Sequence, residues 1–451
     1  MNFAFYDLET TGISPAFDQP LQFAAILADA EFREIERVNL RCRIAPHIIP
    51  SPWALAVTGV RPAQLVDPAL PTLFEFTQDI SALIERWLPA IWTGFNSIRF
   101  DEEMLRQAFY QNLQPDIFAT QFNGNTRLDI LTALYAAWYR QPDLFDWPFD
   151  ADGRVRFKLD RIAPLNGFAA HNAHDALGDV EATIHIARQI AQRAPALWSE
   201  LLANRDKAHV QANLETFKPM ALVERFGGGL PRATVGCFCG TSASNPNQAA
   251  FFDLDAADPS DLLTSDDAAV FAAVDATPKV IRAFSINKSP ALLPVAAPSA
   301  EQVRRAEMIA HAPEFRTRVG QALAARFPED PAAPTPPVEK QIYGGFYSHA
   351  DKALLSKFQR SDWRRREEIV ATLADPRLRQ LGRRLVAFHA PELLSADERG
   401  LFEGWLQERW SAPDTPDTGW TTRDRSRTAL DEIQAEDGLD QALVTEIATY
   451  L

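Results

Sequence analysis

The chain is short of cysteine, short of positive charge and without a long uninterrupted apolar run, and each shortage removes a class of protein. Three cysteines in 451 residues, Cys42, Cys237 and Cys239, are too few and too clustered for a disulfide framework, which suits a reducing compartment. Cys237-x-Cys239 has the spacing of a metal-binding pair, but no second pair or histidine cluster completes a zinc site, so both are read as strand residues. Nothing resembles a transmembrane span, and Met1-Asn2 leads almost directly into a strand with no room for a signal peptide, so a cytoplasmic protein with no membrane association is expected. Asp and Glu outnumber Lys and Arg by 60 to 45, and the net charge of -15 argues against holding nucleic acid by bulk electrostatics. A local basic groove stays compatible with that balance. The 46% hydrophobic content supports real cores, and the length suggests roughly three domains.

What is present begins with Phe3-Ala-Phe-Tyr-Asp-Leu-Glu-Thr-Thr-Gly12. In a strand, residues i and i+2 share a face, so Asp7 and Glu9 point together out of an apolar run. Like charges held side by side and partly removed from water call for a divalent cation. The bland alternative is an ordinary edge strand with Asp7 and Glu9 on its wet face. Gly12 is read as a position that lets a ligand approach the backbone. Strands over 21–28 and 38–44 then predict an antiparallel meander, and Thr72-Leu-Phe-Glu75 has the form of a capping box opening an amphipathic helix. A strand over 90–94 and a helix through Met104, Leu105 and Phe109 give the alternation of a mixed α/β sheet.

Asp101 lies where that strand gives way to the helix, a favoured place for function in open α/β sheets, although Asp is also a common N-cap. Asp129 reads as a cap or a buried partner. His174 and Asp179 are five residues apart, about 140° around a helix, so His174 must lie at or before the cap of the helix that carries Asp179. That suits His174 for proton transfer and Asp179 for metal; the alternative is a histidine on nearby backbone and a surface aspartate. Beyond 195 the texture changes to strand-like segments over 221–255 and 279–286, read as a small twisted sheet or barrel. A Pro-rich stretch over 328–337 reads as a stiff linker, and the pattern from Tyr343 onward is helical. Its basic stretch (Arg364, Arg365, Arg366, Arg377, Arg379, Arg383, Arg384) reads as a solvated helix face.

Taken together, Asp7-x-Glu9-Thr-x-Gly, Phe95-Asn-x-x-x-Phe-Asp101 and His174-x-x-x-x-Asp179 resemble the three exonuclease motifs of the DEDD superfamily in its His-containing DEDDh branch. Asn96-Ser-Ile-Arg-Phe-Asp-Glu-Glu, Asn172-Ala-His-Asp-Ala, Ile286-Asn-Lys-Ser-Pro and Tyr343-Gly-Gly-Phe-Tyr-Ser extend the likeness to bacterial exonuclease I over the whole chain. The resemblance implies an α/β fold: an RNase H-like nuclease domain with a mixed five-stranded sheet over 1–194, a small SH-three-like β-barrel domain over 195–337 and a C-terminal helical domain over 338–451. It implies 3′→5′ hydrolysis of single-stranded DNA to 5′-mononucleotides, with Asp7, Glu9, Asp101 and Asp179 holding two Mg²⁺ ions (Mn²⁺ substituting) and His174 as general base. A DEDDh exoribonuclease and a catalytically vestigial single-strand-binding scaffold are the alternatives.

Substrate contacts implied by the same likeness are Glu9, Thr10, Arg99, Arg106, Lys158, Asn172, Lys207, Tyr343 and Phe346. The family also binds the acidic, Phe-ended C-terminal tail of single-stranded-DNA-binding protein, and Lys218, Arg316 and Arg318 match basic positions there; a monomer is expected. This chain departs from the family in having Thr11 where Phe is found and Asp160 where Glu is common. Its loop over 115–126 also lacks the family's aromatic cluster.

Overall fold

The structure is a computed structural model that describes residues 1–168, 175–326 and 334–451. His174 and Asn172 lie outside the described residues, as do Pro328 and Pro331 of the Pro-rich stretch. Among the described residues no helix is long and apolar enough to cross a membrane.

The first sheet is mixed and five-stranded: β1 (Asn2–Thr10), β2 (Pro20–Ala28), β3 (Glu34–Arg41), β4 (Ala90–Gly94) and β5 (Thr126–Asp129), in the order β3-β2-β1-β4-β5. The expected meander is the antiparallel half, and β4 and β5 join β1 in parallel. β3 starts and ends earlier than expected, because the turn at Asp29 is tight and closes by hydrogen bonds from the Arg33 and Glu31 amides to the Asp29 carboxylate. β1 is therefore a central strand, which overturns the edge-strand alternative.

Alternation along β1 divides the core. Phe3 and Phe5 pack with Val180, Ile184 and Ala187 of the helix Ala176–Arg193, whereas Ala4, Tyr6 and Leu8 face Phe76, Ile80 and Trp92 on the other side. The helix Leu73–Arg86 on that second side opens as expected, with Thr72 and Glu75 forming both bonds of the capping box.

The second sheet is antiparallel, with β6 (Met220–Glu224), β7 (Arg232–Thr241), β8 (Gln248–Asp253), β9 (Ile281–Ser285) and β10 (Leu292–Pro294) in the order β10-β6-β7-β8-β9. Cys237 and Cys239 are buried strand residues of β7, as expected. The sequence reading missed the helices around this sheet, among them Asp267–Asp275, Ala300–Ala310 and Pro313–Ala325. A visible signal was passed over: Ser299 and Gln302 make a full capping box. The helix Pro313–Ala325 lies directly on β7 through two glycines. A Cβ on Gly240 would sit 2.6 Å from the Arg316 carbonyl, and one on Gly320 would sit 2.3 Å from that of Thr241.

From His349 to Tyr450 the chain is helical, as expected. Its basic stretch is not simply a solvated face, which corrects that reading. Arg366 is buried and stacks on Phe74 and Trp363, Arg377 is buried against Asp375 and the Gln341 and Gly345 carbonyls, and Arg384 pairs with buried Glu339. The planar guanidinium can stack and bond at once, which lets these charges enter the interior.

Candidate active site

β4 pairs with β1 only from Asn2 to Phe5, so beyond that point the N–H groups of β1 on the β4 side lose their partner strand while β2 stays paired to Thr10. Gly94 ends β4 where a Cβ would lie 2.5 Å from the Tyr6 carbonyl, so only glycine allows this approach. The chain then turns through Asn96, held at φ 64, into the helix Asp101–Gln111. Asp129 ties this turn down, its carboxylate accepting from the Asn96 and Ile98 amides at 3.1 Å each while capping the helix Ile130–Arg140. It is thus both the cap and the buried partner that the sequence left open. Asp101 is not an N-cap. It is the first residue of its helix, and its carboxylate accepts the orphaned Leu8 amide at 3.1 Å.

On the other face, Asp7 and Glu9 continue the row begun by Phe3 and Phe5 toward the N-terminal turn of the helix Ala176–Arg193. There Asp179 meets them, and Asp7, Glu9 and Asp179 each offer a carboxylate oxygen within 4.8 Å of the others. Asp101 adjoins this trio and repels its charges. Burial, then Asp101, Glu9, Asp179 and Asp175, pushes the Asp7 carboxyl well above the usual range. Glu9 is pushed up to about 9 by burial and then by Asp179, Asp101 and Asp175, with Arg41 opposing. Asp101 rises to about 7, burial outweighing the N–H bonds it accepts. Acceptor-only oxygens crowded so that they favour protons are a donor set for hard divalent cations, which is the fit the residues show.

Three polar residues around this trio were not given roles in the sequence reading. Asp175, the N-cap of the helix Ala176–Arg193, accepts from Gln22 at 3.0 Å and Arg41 at 3.3 Å, and Gln22 sits opposite Glu9 on β2. A glutamine inside the apolar run Pro20–Ala28 was the available signal. Gly12 has another role than expected. Its φ is not positive, and a Cβ there would lie 2.5 Å from the Asp18 carboxylate, which also accepts from Thr11 and the Ser14 amide.

The expected substrate contacts divide. Arg99 is exposed on a cavity of about 470 Å³ between the two sheets, with Arg225, Lys288 and Tyr135 on its walls. Lys158 is exposed just before the helix Leu159–Leu165, and Lys207 donates to Asn247 at 2.7 Å. Buried Thr10 donates to the Gly12 carbonyl. Phe346 is 91% exposed, and Tyr343 bonds Glu103 and stacks on Phe118 at 6.3 Å. Phe118 in turn meets Phe122 edge to face at 5.8 Å, so the loop over 115–126 sets two aromatics beside Tyr343. Arg106 departs from the expectation. It is buried, paired with Glu102 and Glu103 and bonded to Gln121, so its guanidinium is directed into the protein.

Of the expected partner contacts, Lys218 lines a cavity of about 800 Å³ with Phe217, Met220, Leu292 and Val303, and the Arg316 guanidinium lies 4.7 Å from the Phe217 ring centre. Arg318 does not join them. It points to the other side of its helix and donates to the Leu263 and Ser265 carbonyls, which departs from the expectation.

Residues 4–187 match the family model described as Exonuclease, and residues 336–451 match the one described as Exonuclease I C-terminal domain. Exodeoxyribonuclease I of Escherichia coli strain K12 is 29% identical over 430 residues, covering 90% of this chain and 89% of that protein. Exodeoxyribonuclease I of Haemophilus influenzae is 31% identical over 373 residues, covering 78% of each. Among solved structures, E. coli exonuclease I in complex with a dT13 oligonucleotide superposes with a TM-score of 0.83 at 28% identity, covering 100% of this chain and 98% of that one. A crystal structure of SSB/exonuclease I with the inhibitor CFAM gives 0.81 at 27%, with the same coverage. The likeness runs through both sheets and the C-terminal helices as well as the acidic site, and on that extent the chain belongs to the exodeoxyribonuclease I family of nucleases.

Proposed function

We propose that the protein is a 3′→5′ exodeoxyribonuclease that releases 5′-mononucleotides from single-stranded DNA in repair or recombination, acting as a cytoplasmic monomer. The convergence of Asp7, Glu9 and Asp179 within 4.8 Å, with Asp101 beside them, carries the reading. In it the chain is organised as a nuclease domain over 1–194, a small barrel-like domain over 195–337 and a helical domain over 338–451. Asp7, Glu9, Asp101 and Asp179 would hold two Mg²⁺ ions, with Mn²⁺ as a substitute. When bound, such ions supply Lewis-acid stabilisation of phosphate charge and acidify the attacking water. His174 takes the proton of the attacking water as its oxygen joins phosphorus and the bond to the 3′ oxygen of the preceding nucleotide breaks, that oxygen taking a proton from solvent as it leaves. Thr10, Arg99, Lys158, Asn172, Lys207, Tyr343 and Phe346 line the path of the strand, cations meeting phosphates and aromatics meeting bases.

Digestion of a 3′-labelled oligonucleotide tests this. Mononucleotides are expected with Mg²⁺ and not with chelator. Asp7→Ala should abolish cleavage while keeping strand binding, and His174→Ala should slow it by about 10²–10⁴-fold. Metal-independent release, or no release at all, would reject the proposal.

The cavity lined by Phe217 and Lys218, with Arg316 behind Phe217, supports a second contact: the acidic, Phe-ended tail of single-stranded-DNA-binding protein. A labelled tail peptide should bind by fluorescence anisotropy and lose affinity in Lys218→Glu; equal binding by that variant would remove Lys218 from the site.

A further inference from the structure

The first turn of the helix Asp101–Gln111 carries a second buried charge cluster immediately beside Asp101. Glu102, 1% exposed, accepts from Arg127 at 2.6 Å and also pairs with Arg106. Arg127 is itself buried, on β5 two residues before Asp129. Its other terminal nitrogen crosses to the second sheet and donates to the Asn287 carbonyl at 2.5 Å. Asn287 lies in the turn after β9. Its neighbour Lys288 lines the cavity of about 470 Å³ and stands 4.0 Å from Glu103.

We propose that Arg127 is a positioning residue: its guanidinium fixes the helix turn that presents Asp101 to the acidic site and ties that turn to the Asn287-Lys288 turn lining the cavity between the sheets. The inference rests on the metal-site reading given above. A guanidinium is planar, stays charged and presents its two terminal nitrogens in a fixed fork, so the direction to Glu102 and the direction to Asn287 are set together. Glu102 and Asp101 are adjacent on one helical turn, so a displacement of one carboxylate carries the other with it. Asp101 has little slack to absorb this, because its carboxylate is already committed to the Leu8 amide. Outer partners that orient metal ligands commonly change metal affinity by 10–100-fold when removed. A lysine at 127 keeps the charge that Glu102 needs but cannot span both acceptors with a fork, so Arg127→Lys separates geometry from charge.

The test is Mn²⁺ binding to the full chain by isothermal titration calorimetry without DNA, beside anisotropy of a dT13 oligonucleotide in chelator and the melting temperature. Arg127→Gln and Arg127→Lys are expected to weaken Mn²⁺ binding about tenfold or more and to lower oligonucleotide affinity by less. If Arg127→Gln does not fold, Arg127→Lys alone decides. Arg384→Gln is the control, because it removes a half-buried guanidinium from buried Glu339 in the C-terminal part, and should lower the melting temperature without touching Mn²⁺ affinity. Unchanged Mn²⁺ binding in the Arg127 variants, or an equal loss in Arg384→Gln, would overturn the proposal. Failure of the unsubstituted chain to bind Mn²⁺ would instead overturn the metal-site reading, and this inference with it.

Discussion

Glu9 and Asp101 hold their protons far above the ordinary carboxylate values of 4.5 and 3.8, at about 9 and about 7, and burial is the first cause in both. In the metal-free chain the folded state therefore binds protons that the unfolded state has released. These groups contribute stability that is present below their ordinary values and is lost as pH rises through about 7 for Asp101 and about 9 for Glu9. A divalent cation takes the place of those protons, so its affinity rises over the same window. The melting temperature in chelator is expected to fall from pH 6 to pH 9, and the increase produced by saturating Mg²⁺ or Mn²⁺ to grow; an increase independent of pH would contradict the shifts. Asp7 and Glu9 were legible from sequence because local rules would not put two carboxylates in an apolar strand; Asp101 and Asp179 sit where local rules welcome an aspartate, and only their spacing in the motif set singled them out. Arg106 was misread although two of its partners, Glu102 and Glu103, stand four and three residues before it on the same helix; only Gln121 and the burial that turns the pairing inward arrive with the fold.

Gly94 shows how elements carry the site. It lets β4 lie against β1 and stop there, which frees the Leu8 amide for Asp101. An alanine at 94 would force the strands apart, at a cost of about 1–3 kcal/mol typical of overpacking, and would draw Asp101 away from Leu8. Gly94→Ala is expected to lower both the urea midpoint and Mn²⁺ affinity. Thr72→Ala should cost about 1 kcal/mol through the lost cap and leave Mn²⁺ affinity alone, so a matching loss of metal in both variants would refute the strand-spacing account. Of the first sheet, β1 to β4 and the helix Leu73–Arg86 were readable because apolar runs bounded by turns and a capping box mark them, whereas β5, four residues long, was not read as a strand. Around the second sheet the helices were missed. The helix Asp267–Asp275 is short and alanine-rich with no clear apolar stripe and is held in a cluster with Cys237, Cys239 and Ile281, whereas Ala300–Ala310 carried a capping box that was passed over.

At the scale of the molecule, the C-terminal helices share a core with the first sheet and do not merely hang from a linker. Phe74, 2% exposed on the helix Leu73–Arg86, meets Phe358 at 5.9 Å, Trp363 at 5.2 Å and His389 at 5.6 Å, with the Arg366 guanidinium 4.6 Å from its ring centre. Tyr110 donates to the Val338 carbonyl, and Gln359 donates to the carbonyls of Asn112 and Leu113. Glu339, also buried, pairs with both Arg384 and Arg409. Such a boundary was invisible in the sequence, where the prolines near 331 read as a spacer and the arginines as a wet face, because both readings weigh composition and neither sees what lies across the contact. A continuous core predicts cooperative unfolding. Phe74→Ala deletes a ring whose partners mostly belong to the C-terminal part, and it should destabilise the protein by about 3–5 kcal/mol. It should also raise amide exchange in the helices His349–Gln359, Trp363–Thr372 and Pro376–His389 by the same free energy as in β1 and β4. If those helices exchanged independently of the sheet in Phe74→Ala, the shared core would be an adjacency without coupling, and the C-terminal part would fold as a unit of its own.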